Sequence, residues 1–379
     1  MEESAHEIST SFFYNQPEGN KRNKMNYTEL PKDVLSTLQK GVVIPALPLA
    51  LDENRELDVS RQRALMRYYL NAGAGGVAVA VHTTQFEIRL PGVNLYEPIL
   101  KIAKEEFDHF TAETKKSVVR VAGVIGKTEQ AVSEAILAVE NGFHAGLLSV
   151  AAFKDASNEE ILEHCRAVAN VIPVIGFYLQ PAVGGRKLDV DFWREFARIK
   201  NVIAIKMAPF NRYQTFDVVR GVAESGRADE IVLYTGNDDN ILVDLLSEYE
   251  IIVDGEIVRK KIVGGLLGHW AVWTNSAVKL LEEVQGGKFD SDTRKALVRG
   301  HQITDCNAAF FDSENNFAGC ITGIHEVLRR QGLLEGLWTL SEGEVLSPGQ
   351  KEEIDRVYAA YPHLNDDDFV AKNIDKWLL

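Results

Sequence analysis

SVVRVAGVIGKTEQAVSEAILAVENGFHAGLLSVA, residues 117–151, carries the pattern that decides the fold. Its first eight residues form a short apolar run of the kind a strand buried on both faces requires. TEQAVSEAILAVE (128–140) then repeats its apolar positions at helical spacing, and Asn141-Gly142 follows, where glycine can take the left-handed cap conformation. AGLLSVA (145–151) is again a short apolar run. Strand, helix and strand in this order imply two parallel strands joined by a right-handed crossover.

The unit recurs along the chain. Strand candidates are GVVIPALPL (41–49), GGVAVAV (75–81), IPVIGFY (172–178), NVIAIK (201–206) and EIVLYTG (230–236). Helical patterns such as SRQRALMRYYLNAG, EEILEHCRAVANV and DVDFWREFARIK lie between them. With an eighth strand near HWAVWT (269–274), the expected architecture is α/β, a (β/α)8 TIM barrel with additional C-terminal helices. A doubly wound open sheet is the competing architecture, and periodicity alone does not separate the two. YEIIVDGEIVRKKIV (249–263) reads as a β-hairpin turning at Asp254-Gly255, expected as a surface insertion. The domain organisation is thus a polar leader over 1–37, a barrel over 38–276 and a helical region over 277–379.

Composition narrows the function. The 379 residues carry a formal net charge of −14, which argues against nucleic acid or an anionic membrane as a partner. No stretch approaches the roughly 20 apolar residues of a membrane span. Cys165, Cys306 and Cys320 have no paired spacing, which disfavours a disulfide framework or a cysteine zinc site and fits a cytoplasmic location. The glycines of NAGAGGVA close a helix instead of opening one, so they do not form a dinucleotide fingerprint. GVIGKT lacks the leading glycine of a phosphate loop, since position 121 is valine. His325 is followed four residues later by Arg329, so no second metal ligand arrives. GNDDN (236–240) reads as a capped turn after a strand. No metal and no organic cofactor is expected.

Lys206 ends the sixth strand candidate, directly behind the apolar run Val202–Ile205. Strand-end lysines are ordinarily solvated, because burying an ammonium is costly. In a barrel, however, Lys206, Tyr178 at the end of the fifth strand, and Thr83 and Thr84 after the second would gather at the C-terminal face, where catalytic residues collect. A partly buried amine with a lowered pKa can attack a carbonyl. A phenol can move protons as the carbinolamine collapses, and threonine hydroxyls can hold a carboxylate.

This arrangement resembles the dihydrodipicolinate synthase and N-acetylneuraminate lyase family of class I, Schiff-base aldolases, over roughly residues 38–335. The family's Gly-Thr-Thr-Gly-Glu turn matches at Thr83 and Thr84, its Tyr-Asn-x-Pro pattern at Tyr178 to Pro181, and its Gly-Ile-Lys pattern at Ala204 to Lys206. Its Gly-Asp-Asp turn looks like Gly236-Asn237-Asp238, and its Gly-Val-Ile-Ser-Val strand aligns with Gly268 to Val272. The resemblance implies that Lys206 forms an imine with pyruvate or another 2-oxo acid and that Tyr178 relays protons. It implies further that Thr83 and Thr84 bind the carboxylate and that Trp270 offers a backbone carbonyl to the pyruvoyl group. It also implies a homo-oligomer, dimer or tetramer.

Departures are specific. The synthases' arginine for the second substrate falls on Val183, with Arg186 nearby; the aromatic hydroxyl lent by a neighbouring subunit falls on Phe153; and the Gly-Glu after the threonines is Gln85-Phe86. Dihydrodipicolinate synthesis itself is therefore disfavoured. The expected activity is a lyase reaction by aldol cleavage, condensation or dehydration. Two alternatives stay open: a catalytically silent barrel binding an oxo acid or a partner protein, and a metal-dependent aldolase, which the absence of ligand spacing disfavours.

Overall fold

The computed structural model describes residues 24–181 and 184–379. Seven parallel strands, β1 (Val43–Pro45), β2 (Gly76–Val79), β3 (Val119–Val124), β4 (Ala145–Leu148), β5 (Val174–Leu179), β6 (Val202–Ala208) and β7 (Val232–Thr235), follow the expected runs. After them come β8 (Glu248–Val253) and β9 (Glu256–Leu267). The helices are α1 (Lys32–Lys40), α2 (Val59–Ala72), α3 (Tyr96–Thr114), α4 (Thr128–Glu140), α5 (Asn158–Ala169), α6 (Val190–Arg198) and α7 (Arg212–Glu224). The chain continues through α8 (Ile241–Leu246), α9 (Thr274–Gln285), α10 (Thr293–Phe310), α11 (Cys320–Arg330), α12 (Gln350–Ala360), α13 (Asp367–Ala371) and α14 (Ile374–Trp377).

Neighbouring strands run in the order β1-β9-β7-β6-β5-β4-β3-β2. A parallel bridge between Ala46 and Ala78 joins β1 to β2 and brings the sheet round on itself. The result is a (β/α)8 barrel with C-terminal helices, as the alternating pattern requires. Strand side chains alternate between two cores. Ala204, Ile175, Leu147 and Val121 fill the barrel interior, whereas Ile205, Met207, Val174 and Leu148 pack outward against the helices. Helix α1 closes the N-terminal end: Val34 and Leu38 join the interior core, and the Tyr234 hydroxyl donates to the Leu38 carbonyl at 2.7 Å.

The eighth strand departs from the expectation. It is not HWAVWT but the second half of β9, whose residues 265–267 pair with β1 and residues 262–265 with β7. His269–Ala271 forms a single 3-10 turn. The hairpin is consequently no insertion between strands: β8 pairs antiparallel with the exposed first half of β9, and the same strand then runs on into the barrel. Its turn is as expected, with Asp254 and Gly255 both at positive φ (51° and 86°), the geometry a two-residue turn favours.

Candidate active site

Lys206 occupies an inward position of β6, between the inward residues Ala204 and Ala208. It is 9% exposed, and its Nζ stands 4.3 Å from the centre of the Phe177 ring. Among the described residues no carboxylate lies within ion-pair distance of it. Burial pulls its pKa down to about 8, an effect partly opposed by the negative field of Asp238. Gly236 sits directly against the lysine stem; a Cβ there would lie 2.6 Å from Lys206 Cε.

The cavity around Nζ holds about 90 Å³ at the C-terminal face of the barrel. Barrel residues Ala46, Val81, His82, Thr83 and Leu147 line one side. Phe311, Phe317, Cys320 and Ile324, from the segment linking α10 to α11 and from α11 itself, close the other. A larger open groove of about 830 Å³ lies near Met25–Glu29 and the ends of α5 and α6, far from this chemistry. Its Arg166 and Arg198 are already paired with glutamates on their own helices.

Thr83, His82, Asp238 and Gln180 are polar residues that share the cavity with the lysine. Thr83 is 3% exposed and its Oγ1 has no hydrogen-bond partner among the described residues, which leaves a buried donor for a ligand. His82, half-buried, has its pKa lowered by burial and then by the Lys206 charge. Asp238 follows β7; its Oδ1 accepts the His269 amide at 2.9 Å, and its own carbonyl accepts from Asn307 Nδ2 at 2.6 Å. Burial raises the Asp238 pKa well above the usual carboxylate range, against the lowering effects of the His269 hydrogen bond and Lys206.

The remaining expected site residues lie elsewhere. Thr84 is fully buried, and its hydroxyl donates to the Leu47 carbonyl at 2.6 Å, so it braces the loop and does not line the cavity. Tyr178 points out of the barrel: it packs on Trp193 of α6, and its hydroxyl donates to the Leu188 carbonyl (3.2 Å) while accepting the Leu188 amide (3.1 Å). The residue paired across from Lys206 is Phe177. The proton-relay assignment to Tyr178 is therefore corrected, because successive residues of a strand face opposite ways and this phenol faces the helix layer. Trp270 is likewise outside the cavity; its carbonyl accepts from Thr274 Oγ1 at 2.8 Å, since the strand expected to carry it ends at Leu267.

Phe153 lies under the Lys127 ammonium (4.3 Å) and against His164 (4.4 Å), not in the cavity. Arg186 donates to the carbonyls of Phe153 and Ala156, and Val183 lies outside the described residues. Gln85, where the family turn has glycine, adopts φ 67° and anchors the C-terminal segment through the Leu340 amide at 2.6 Å. No cluster of three metal-binding side chains occurs, and no helix is long and apolar enough to cross a membrane, among the described residues.

The geometry is thus that of a parallel (β/α)8 barrel with one desolvated lysine at its C-terminal face. Residues 39–252 match the model of the dihydrodipicolinate synthetase family, and the chain belongs to that family. It is 27% identical over 208 residues to the N-acetylneuraminate lyase of Citrobacter koseri, covering 54% of this chain and 65% of that one, just under two thirds of its length. It is 26% identical over 280 residues to the 4-hydroxy-tetrahydrodipicolinate synthase of Nitrosospira multiformis, covering 73% of this chain and 82% of that one. Among solved structures, a monomeric dihydrodipicolinate synthase variant superposes with a TM-score of 0.68 at 17% identity, covering 86% and 98% of the two chains. YagE, a prophage protein of Escherichia coli K12 solved in complex with pyruvate, gives 0.67 at 17%, covering 85% and 97%.

Proposed function

We propose that this protein is a class I lyase whose Lys206 forms an imine with a 2-oxo acid. The observation that carries the reading is the lysine itself: one ammonium in a largely apolar cavity at the C-terminal rim of the barrel, with burial holding its pKa well below the ordinary lysine value. A pKa lowered to about 8 leaves far more free amine at neutral pH than an ordinary lysine has. Thr83 Oγ1, buried and unpartnered, is the donor for the substrate carboxylate. The protonated imine then serves as the electron sink for carbon–carbon cleavage, condensation or loss of water.

Dihydrodipicolinate synthesis is disfavoured. Besides Lys206, no lysine or arginine lines the cavity among the described residues, so a second carboxylate finds no cation there. One observation favours a second reading, a silent oxo-acid-binding barrel: Phe177 faces the lysine and offers no proton. Borohydride reduction with pyruvate and with longer 2-oxo acids, read by peptide mass spectrometry, separates the two. A reduced adduct on Lys206, absent from Lys206→Ala, supports the lyase. An unmodified Lys206 across all these acids leaves the silent barrel.

A further inference from the structure

We infer that Asp238 is the catalytic acid–base group of this site, in the role a phenol facing the lysine would otherwise fill. The inference rests on the imine reading of Lys206. An imine mechanism needs a group that removes a proton from the substrate and returns it, within reach of the bound carbon chain. Phe177 occupies the position opposite the lysine and has no such proton, and Tyr178 is bound to the Leu188 backbone behind the strand.

Asp238 is built for the task. Its backbone is fixed twice, by its amide to the Gly236 carbonyl (3.2 Å) and by Asn307 to its carbonyl (2.6 Å). The His269 amide holds Oδ1 at 2.9 Å, whereas Oδ2 takes no hydrogen bond from the described residues and the side chain lines the cavity. The titratable groups around it are Lys206, His82 on the β2 side, Asp239 on the same loop and Cys320 from α11. Of these His82 is the rival. It stands at the end of β2, four places from β6 in the strand order, while Asp238 follows β7, the neighbour of β6.

In the iminium of a 4-hydroxy-2-oxo acid, the Asp238 carboxylate takes the C4 hydroxyl proton. The C3–C4 electron pair moves onto the iminium to give the enamine, and an aldehyde leaves. Asp238, now neutral, gives that proton to C3 of the enamine and becomes a carboxylate again. Water then hydrolyses the pyruvate iminium and frees Lys206. With pyruvate alone, the same carboxylate removes and returns a methyl proton.

The test uses pyruvate in heavy water. Loss of the methyl signal by proton magnetic resonance reports enamine formation, and borohydride trapping at equilibrium reports the imine alone. Asp238→Asn keeps an oxygen for the His269 amide, so it is expected to fold and to be trapped as wild type is, while methyl exchange falls about a hundred-fold. In Asp238→Ala, added formate is expected to restore exchange, which a purely structural role would not allow. Wild-type exchange in Asp238→Asn, or exchange lost in His82→Gln but kept in Asp238→Asn, overturns the assignment and leaves the imine standing. Absence of any trapped adduct in the wild-type protein removes the imine and this assignment together.

Discussion

Gly236→Ala adds one carbon where the cavity has no room for it. The new Cβ would lie 2.6 Å from Lys206 Cε, 2.8 Å from Ala208 Cβ and 3.1 Å from Lys206 Cγ. Carbon atoms prefer about 3.5–4.0 Å, so the shortfall to Cε is about 1 Å. Ala208 is anchored in β6 and cannot yield, which leaves the lysine stem to move. Gly236 is not at positive φ, so the backbone adds no strain of its own. Overpacking of this kind costs about 1–3 kcal/mol of stability, and about 1 Å of displacement of a reacting group costs about a hundred-fold in rate. The assay is the rate of borohydride-trapped pyruvate adduct, with a thermal melt on the same sample. Gly343→Ala is the control, because its added Cβ meets nothing within 4 Å. Trapping of Gly236→Ala at the wild-type rate would refute the placement of Lys206 against this turn.

Three further outcomes follow from the same geometry. Tyr178→Phe leaves the Leu188 amide and carbonyl without their shared partner, so stability falls by about 1–3 kcal/mol in denaturant melts, while the pyruvate trapping rate of the folded protein stays within about two-fold of wild type. The trapping rate of the wild-type protein rises with pH, is half-maximal near pH 8 and levels above it, because only the free amine attacks and burial lowers the Lys206 pKa to about that value. Phe177→Ala admits water over Nζ, so its plateau moves to higher pH; an unmoved plateau would show that the ring does not desolvate the amine.

The sequence exposed the barrel because parallel strands covered on both sides read as mostly apolar runs, and seven of the eight barrel strands do so even where Arg120 and Lys206 interrupt β3 and β6. The eighth hides in IVGGLL, where paired glycines thin the apolar signal and a polar hairpin leads in, while the heavier apolar cluster HWAVW belongs to a 3-10 turn. The same double burial made Tyr178 ambiguous. In β5 both Phe177 and Tyr178 are buried, so composition does not tell which faces the lysine; only the pairing of Phe177 with Lys206 does. Lys206 and Thr83 were legible as neighbours at one end of the barrel, since one falls among the last residues of a recognisable strand, β6, and the other in the turn that follows β2. Asp238 was visible only as part of a turn, and Phe311, Phe317, Cys320 and Ile324 gave no local signal, because they reach the cavity through helices far along the chain.

That last contribution divides the cavity between two stretches of polypeptide. Lys206, Thr83 and Asp238 are carried by the barrel, whereas Phe311, Phe317, Cys320 and Ile324 of the cavity wall come from residues 311–324. Changes in those four side chains can therefore reshape the cavity without touching the strands that hold the lysine. The shape of that wall and the placement of the lysine are separately heritable in such a chain, and a library confined to residues 311–324 would vary one while holding the other constant.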